Sequence, residues 1–443
     1  MSNKHLQWLH EELPGLVQAG VLPSEVAEKL RQHYGPAPER ARKNWALLVF
    51  GILGAALIGA GVLLLVAHNW DDLSRPVRTG LAVAPLVAAI GLAGWVLACR
   101  PVSAPWCEGA ATAWALTIGA TISLVAQIYQ IHGDTARFFL TWILLGLPIV
   151  YVLRSSVAAS FYFIGATAWV GCTTYPSQQR ATGLWYWGLL ALALPHLIDV
   201  WRKNRTGWRS SLTGWVLALC LCTGTGISLE GALPGAWIVA YTGLLALLYL
   251  AGKRWWTAAP TLWQRPWQTT GAVGLGIVAL ELTYRWPWQG IHSHWHHAWT
   301  SSSAMITGNL LAAFLAIAAI GAVARELPRL GWADLDRIII GLAPICGVAG
   351  YAIAANYEFD KSAQALFNGY LFILGLGALI AGIRSNKLGT VNAGLLALAA
   401  LIIARFFDSE LSFLMRGLAF IGIGSGFLAT NGVMLRRKGA VAQ

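Results

Sequence analysis

The chain has 443 residues, of which 57% are hydrophobic and only 11% charged, against about 25% charged in a typical soluble domain. That balance excludes a soluble globular enzyme and points to a membrane protein. The formal net charge of +12 lies in short segments between long apolar runs, where it sets orientation and meets anionic headgroups, so nucleic acid is excluded as a partner.

In chain order, residues 1–38 read as a small helical hairpin. Leu6, Leu9, Leu13 and Leu16 recur at helical spacing, Gly20 and Pro23 make a turn, and Ser24 followed by Glu25 caps a second helix carrying Val26, Leu30 and Tyr34. Gly35, Pro36 and Pro38 link it to the first long apolar stretch. So small a hairpin buries too little to stand alone; it is expected to dock on neighbouring loops or on a protein partner. The first 44 residues are polar and mixed in charge, so no cleaved signal is expected.

Fourteen apolar stretches occupy the rest of the chain, near 45–67, 77–98, 109–128, 137–153, 157–174, 182–199, 211–228, 235–251, 268–284, 303–323, 335–354, 365–383, 388–404 and 413–434. Each approaches the roughly 20 residues that an α-helix needs to cross a hydrocarbon core of about 30 Å. The expected fold class is therefore all-α, a polytopic transmembrane helix bundle of about 14 spans. Basic residues alternate between its connections. Twenty, among them Arg100, Arg154, Arg209, Lys253 and Arg436, share the side of the N-terminus, against eight across the bundle, among them Arg75, Arg137 and Arg405. By the positive-inside rule both termini are expected to be cytoplasmic.

Trp70, Trp106, Trp185, Trp187, Trp208, Trp255, Trp256, Trp286 and Trp288 fall near span ends, as an interfacial belt requires. The six cysteines form no CxxC pair and lie in or beside spans, which suits packing. Spans 1–6 and 9–14 have similar landmarks: Gln127 and Tyr129 before Asp134 and Arg154, Asn356 and Tyr357 before Asp360 and Arg384. A parallel repeat divides the membrane part into 39–205 and 261–443, with 206–260 linking them.

Three groups of residues carry a family resemblance. They are the Ala19-Gly20-Val21-Leu22-Pro23-Ser24 turn, the run Ala67-His68-Asn69-Trp70 after span 1, and Gln127, Tyr129, Gln130, Gly133 and Asp134 at the end of span 3. Over residues 4–155 the chain resembles an uncharacterised bacterial membrane family, domain-of-unknown-function family 2157. The last third, with Arg405-Phe406-Phe407-Asp408 and Arg416-Gly417-Leu418-Ala419-Phe420, is similar to a second membrane domain of unknown function. The resemblance implies a polytopic inner-membrane protein and no particular reaction or cofactor.

Ionisable groups are scarce within the spans. Glu281 is the acidic candidate, toward the outer end of span 9, and Arg285 four residues on offers a helix-end ion pair. Polar residues instead gather on the outer side. Asp71, Asp134 and Arg405 are candidate catalytic residues, the carboxylates as base or metal ligand and the guanidinium as phosphate holder. Asn69, Trp70, Gln130, Arg137, Asp408 and Arg416 are candidate substrate contacts, with Asp408 in reach of Arg405. The alternative is a set of solvated loop charges and helix caps. His292, His294, His296 and His297 offer imidazoles for a metal, although their spacing matches no defined zinc motif and an interfacial loop explains them as well.

Three functions fit these features. One is a transporter or translocase of a small or lipid-linked substrate; another is an outer-leaflet enzyme acting on a lipid-linked glycan or phosphate; the third is a non-catalytic scaffold or sensor working through the hairpin.

Overall fold

A computed structural model describes residues 12–17, 20–34, 73–177, 183–256, 259, 261–292, 303–326, 335–356, 361–385, 387–408, 421 and 424–425. Among these there is no β-strand. Residues 12–74 and the bundle from Arg75 onward belong to two compact units.

In the first unit, α1 (12–17) and α2 (Ser24–Tyr34) form the expected hairpin. Gly20 takes a left-handed φ of 72°, a conformation that costs glycine little. The chain reverses there because Val21 N donates to Leu16 O at 3.0 Å. Leu13 and Ala27 are buried, whereas Val26 is exposed. Leu30, three residues after Ala27, is half-buried, so the packed face of α2 runs through Ala27 and Leu30 and leaves out Val26. Leu6 and Leu9 lie outside the described residues.

The second unit is a helical bundle: α3 (Arg75–Cys99), α4 (Ala104–Ile128), α5 (Thr135–Val152), α6 (Ser156–Ser177), α7 (Gly183–Lys203), α8 (Trp208–Ser228), α9 (Ala236–Trp255), α10 (Pro266–Glu281), α11 (Ser303–Glu326), α12 (Leu335–Gly341), α13 (Ala343–Asn356), α14 (Lys361–Arg384) and α15 (Leu388–Asp408). They correspond to twelve of the fourteen expected spans; those at 45–67 and 413–434 lie outside the described residues. Among the described residues ten spans are long and apolar enough to cross a membrane, α12 and α13 together counting as one. The 16 residues of α10 cover about 24 Å of axis. The single span expected at 335–354 is interrupted at Leu342. Pro344 has no N–H to offer the carbonyl one turn earlier, while Leu342 N still bonds Ile338 O at 3.0 Å and Cys346 N bonds Leu342 O at 2.9 Å, so the helix resumes after a single residue.

Two large hydrophobic cores hold the bundle, with a small third one where Val391 and Leu395 of α15 meet Leu379 and Ile383 of α14. One gathers side chains of α3–α8, including Val96, Ile149, Phe163 and Tyr186; the other gathers those of α9–α15, including Ile238, Leu275 and Phe367. They meet at Leu221 and Trp267. Where helices approach most closely, glycine makes the approach. A Cβ on Gly271 of α10 would lie 2.6 Å from Leu245 O and Tyr249 N of α9, and one on Gly394 of α15 equally close to Gly375 O and Leu379 N of α14. With no hydrophobic effect between helices in lipid, such close packing supplies the attraction. The outer surfaces are apolar: Leu310, Phe314 and Ile317 of α11 and Leu396 of α15 are exposed.

The tryptophans near span ends divide. Trp106, Trp185, Trp208, Trp255 and Trp286 are exposed near helix ends as a belt requires, but Trp256 and Trp288 are only 2% and 1% exposed. Trp256 packs in an aromatic cluster with Trp201, Trp255 and Trp267, the ring centres of Trp201 and Trp267 being 5.2 Å apart. Trp288 donates from its indole to Leu282 O at 3.0 Å and stacks near Phe367. Both are core residues because the chain turns back over them after its helix. All six cysteines are free.

Candidate functional site

Hydrogen bonds identify which helix ends lie together. The starts of α4, α6 and α8 share one end with the close of α5 and α7; this end, the basic end, carries Arg100, Arg154, Arg202, Lys203, Arg205 and Arg209. At the opposite end Thr79 Oγ1 of α3 lies 3.2 Å from the Tyr129 hydroxyl, and Asn309 of α11 accepts from Leu233 N at 3.0 Å.

The most elaborate polar site is at the basic end, around Glu108. Its side chain is 7% exposed and enters the bundle in the second turn of α4. A carboxylate so buried is costly unless fully bonded, and this one is. Oε1 accepts from Arg209 Nε at 2.6 Å and from Ser156 N at 3.0 Å; Oε2 accepts from Val157 N at 3.0 Å and from the Ser155 hydroxyl. Glu108 therefore occupies the N-terminus of α6, where unpaired N–H groups and the helix dipole favour an anion. Ser155 completes the cap by accepting from Ala158 N at 3.1 Å. The Arg209 guanidinium also donates to Arg154 O at 2.9 Å. One ion pair thus locks α4, α6, α8 and the α5–α6 turn.

Beside it opens a cavity of about 200 Å³ between the end of α7 and the start of α8, lined by Arg154, His196, Asp199, Lys203, Asn204 and Arg209, with the first turn of α8 forming one wall. Lys203 is paired with Asp199 at 2.6 Å. His196 is 5% exposed; its ring meets that of Tyr151 nearly at right angles, 6.4 Å between centres, and its Nε2 has no hydrogen-bond partner among the described residues. Further along this end, the Lys253 ammonium and the Tyr249 hydroxyl both bind Asp336 Oδ2, joining α9 to α12.

The residues singled out by sequence stand elsewhere. Asp134 is the N-cap of α5, its Oδ1 accepting from Ala136 N at 3.0 Å. Gln130 takes a φ of 48° just past α4, where Ile131 N reaches back to Ala126 O at 2.9 Å, the left-handed turn that commonly ends a helix. Arg137 is exposed in the first turn of α5. Arg405, half-buried, directs Nη2 to Thr283 Oγ1 at 3.4 Å and lies 5.2 Å from the centre of the Tyr284 ring; Asp408 ends the same helix, its side chain outside the described residues. Asp134, Gln130 and Arg137 share one neighbourhood, and Arg405 has partners from the segment after α10 instead. Glu281 closes α10, so Arg285 lies beyond the helical spacing that would pair them. His292 Nδ1 is 3.0 Å from Ala355 O. Asn69, Trp70, Asp71, Arg416, His294, His296 and His297 lie outside the described residues, and among those described no group of three or more His, Cys, Asp or Glu is arranged to hold a metal.

Glu108, Arg209 and His196 were not picked out by sequence. Glu108 sits one residue before the apolar run expected to begin at 109, so it reads as a loop charge. The available signal was the acidic residue itself at a helix entrance on an otherwise basic side.

A helical bundle with apolar outer faces and ten helices fit to span defines the class: an integral membrane protein. Residues 14–159, from within α1 to the first turn of α6, match the model of a family described as Predicted membrane protein (DUF2157). Neither a curated protein nor a solved structure matches the chain.

Proposed function

We propose that the protein is a transporter or translocase of a small or lipid-linked substrate in a bacterial inner membrane, with both termini cytoplasmic and the basic end facing the cytoplasm. One observation carries this reading. Every Asp, Glu, Lys and Arg in α3–α15 lies within five residues of a helix end, Glu108 and Asp199 being the deepest. Carriers driven by protons or sodium commonly set a carboxylate or polar ligands at mid-depth. A bundle whose ionisable groups are withdrawn to its ends suits a substrate with an apolar body and a polar head. The two large cores, which meet at Leu221 and Trp267, support dividing the membrane part into 39–205 and 261–443 joined by 206–260, with α8 packing chiefly into the first core and α9 into the second.

The reading is tested by reconstituting the full chain into vesicles with a trace of phospholipid carrying a reducible fluorophore on its headgroup. Translocation makes the inner-leaflet share of fluorescence accessible to an impermeant reductant, so the protected fraction falls; a fraction equal to that of empty vesicles counts against the proposal.

A second reading, an outer-leaflet enzyme, is favoured by Arg405, a cation half-buried at the opposite end beside Thr283 and Tyr284. The N-cap role of Asp134 weakens its candidacy as a base.

A further inference from the structure

At the end opposite the basic one, the chain turns back into the bundle after α10. The helix falls short of the roughly 30 Å of a hydrocarbon core, and residues 282–292 fold over its end. Leu282, Thr283, Trp288 and Ile291 are buried, whereas Arg285, Trp286, Gln289 and Gly290 are exposed. The segment thus has a buried underside and an outward face. Its underside enters a slot between α9, α13 and α14. A Cβ on Gly350 of α13 would lie 2.8 Å from the Trp288 ring, and one on Gly235, before α9, 2.6 Å from Ile291 Cδ1. The Trp288 and Phe367 rings are 5.6 Å apart between centres. Gly350 and Phe367 each stand six residues from the nearer helix end, so the indole reaches about 9 Å into the bundle.

Ala354 and Ala363 stand two residues from the same ends of α13 and α14, and both are 0% exposed, so these helix ends are covered. The segment that lies over them keeps its backbone bonds local: Leu282 N to Val278 O, Tyr284 N to Glu281 O, Trp288 N to Arg285 O and Gln289 N to Trp286 O. The Trp288 indole also donates within the segment, to Leu282 O. Side chains link it to the bundle: the two seats at Gly350 and Gly235, His292 Nδ1 at 3.0 Å from Ala355 O, and Arg405 Nη2 at 3.4 Å from Thr283 Oγ1. Lifted as a unit, the segment keeps these internal hydrogen bonds, and what it uncovers is walled by alanine, glycine and Phe367.

We propose that residues 282–292 are a lid on the end of the second core, and that withdrawing Trp288 and Ile291 opens an apolar path between α9, α13 and α14 for the apolar body of the substrate. The substrate rests on the translocase reading; the motion of the lid does not. Local openings of this kind come from segments held by few contacts beyond their own, and the two glycines are what let the lid seat: a side chain at either position would occupy the place of Trp288 or Ile291.

The test uses the full chain in mild detergent, in a background without the native cysteines. Ala363→Cys reports on the covered end, and Ala246→Cys, fully buried in the middle of α9, reports on general loosening. Each is exposed to a charged maleimide, and labelling at the named position is followed by peptide mass spectrometry. Gly350→Ala crowds Trp288 out of its slot at the cost of one methyl group. In a second variant, His292→Cys and Ala355→Cys are bridged by a short bis-methanethiosulfonate reagent that a reductant cleaves, which holds the lid shut.

Gly350→Ala should raise the labelling rate at position 363 by about tenfold while position 246 stays protected, and the bridge should lower the rate at 363 by about tenfold until it is cleaved. Equal rates at 363 with and without Gly350→Ala overturn the lid, as does a bridge without effect. A parallel rise at 246 also overturns it, because the segment is then an ordinary part of the core. The lipid assay in vesicles separates the lid from the reading it serves. Translocation that continues unchanged under the bridge overturns the lid and leaves the translocase standing; labelling as expected, with no translocation by any variant, supports the lid and removes the translocase.

Discussion

Removing the Glu108 carboxylate strands Arg209 and uncaps α6. Glu108→Ala should therefore destabilise the bundle by about 3–5 kcal/mol, the usual consequence of breaking one side of a buried pair. The thermal midpoint in detergent reads this, and an unchanged midpoint would mean that the pair is solvated. Two other polar residues carry a different lesson. Asp134 and Gln130 drew attention in the sequence as polar groups beside an outer turn, and in the fold they start and stop helices. A polar side chain at a helix boundary has an ordinary task there, satisfying N–H groups or accepting an unusual φ, and sequence does not distinguish that task from catalysis. Glu108 gives no signal in the sequence for the complementary reason: its partners, at 155–157 and 209, are remote along the chain.

Individual helices were readable because hydrophobic length is a property of the segment itself. The expected spans match α3–α15 to within a few residues at most ends, but the interruption at Leu342 was not legible from Pro344, since Pro85, Pro148 and Pro195 lie inside unbroken helices. What length does not reveal is which helix touches which. The α14–α15 contact depends on Gly394, where a side chain would collide with Gly375 O and Leu379 N. Gly394→Leu should push these helices apart and cost about 1–3 kcal/mol, as overpacking does, whereas Gly276→Leu, with open space around its Cβ position, should be tolerated. Comparative melts of the two variants decide the matter, and equal effects would show that the close approach adds little.

At the level of the whole molecule, orientation is the property most open to test. Single cysteines at Asn204 and Lys387, in a background without the native six, should react with an impermeant maleimide only from the cytoplasmic side, and one at Gly133 only from the other. The reverse pattern would invert the proposed topology. The sequence by itself determined that the chain is an all-helical membrane protein, how many apolar stretches it has and which connections share a side, because hydrophobicity and charge act segment by segment against the bilayer. Only the tertiary structure decided that the charges at the basic end form a buried pair, that Trp256 and Trp288 belong to the core, and that His196 is buried against Tyr151. Those facts depend on side chains brought together from different helices, and packing between helices is set by shape and by pairwise bonds that no single segment contains.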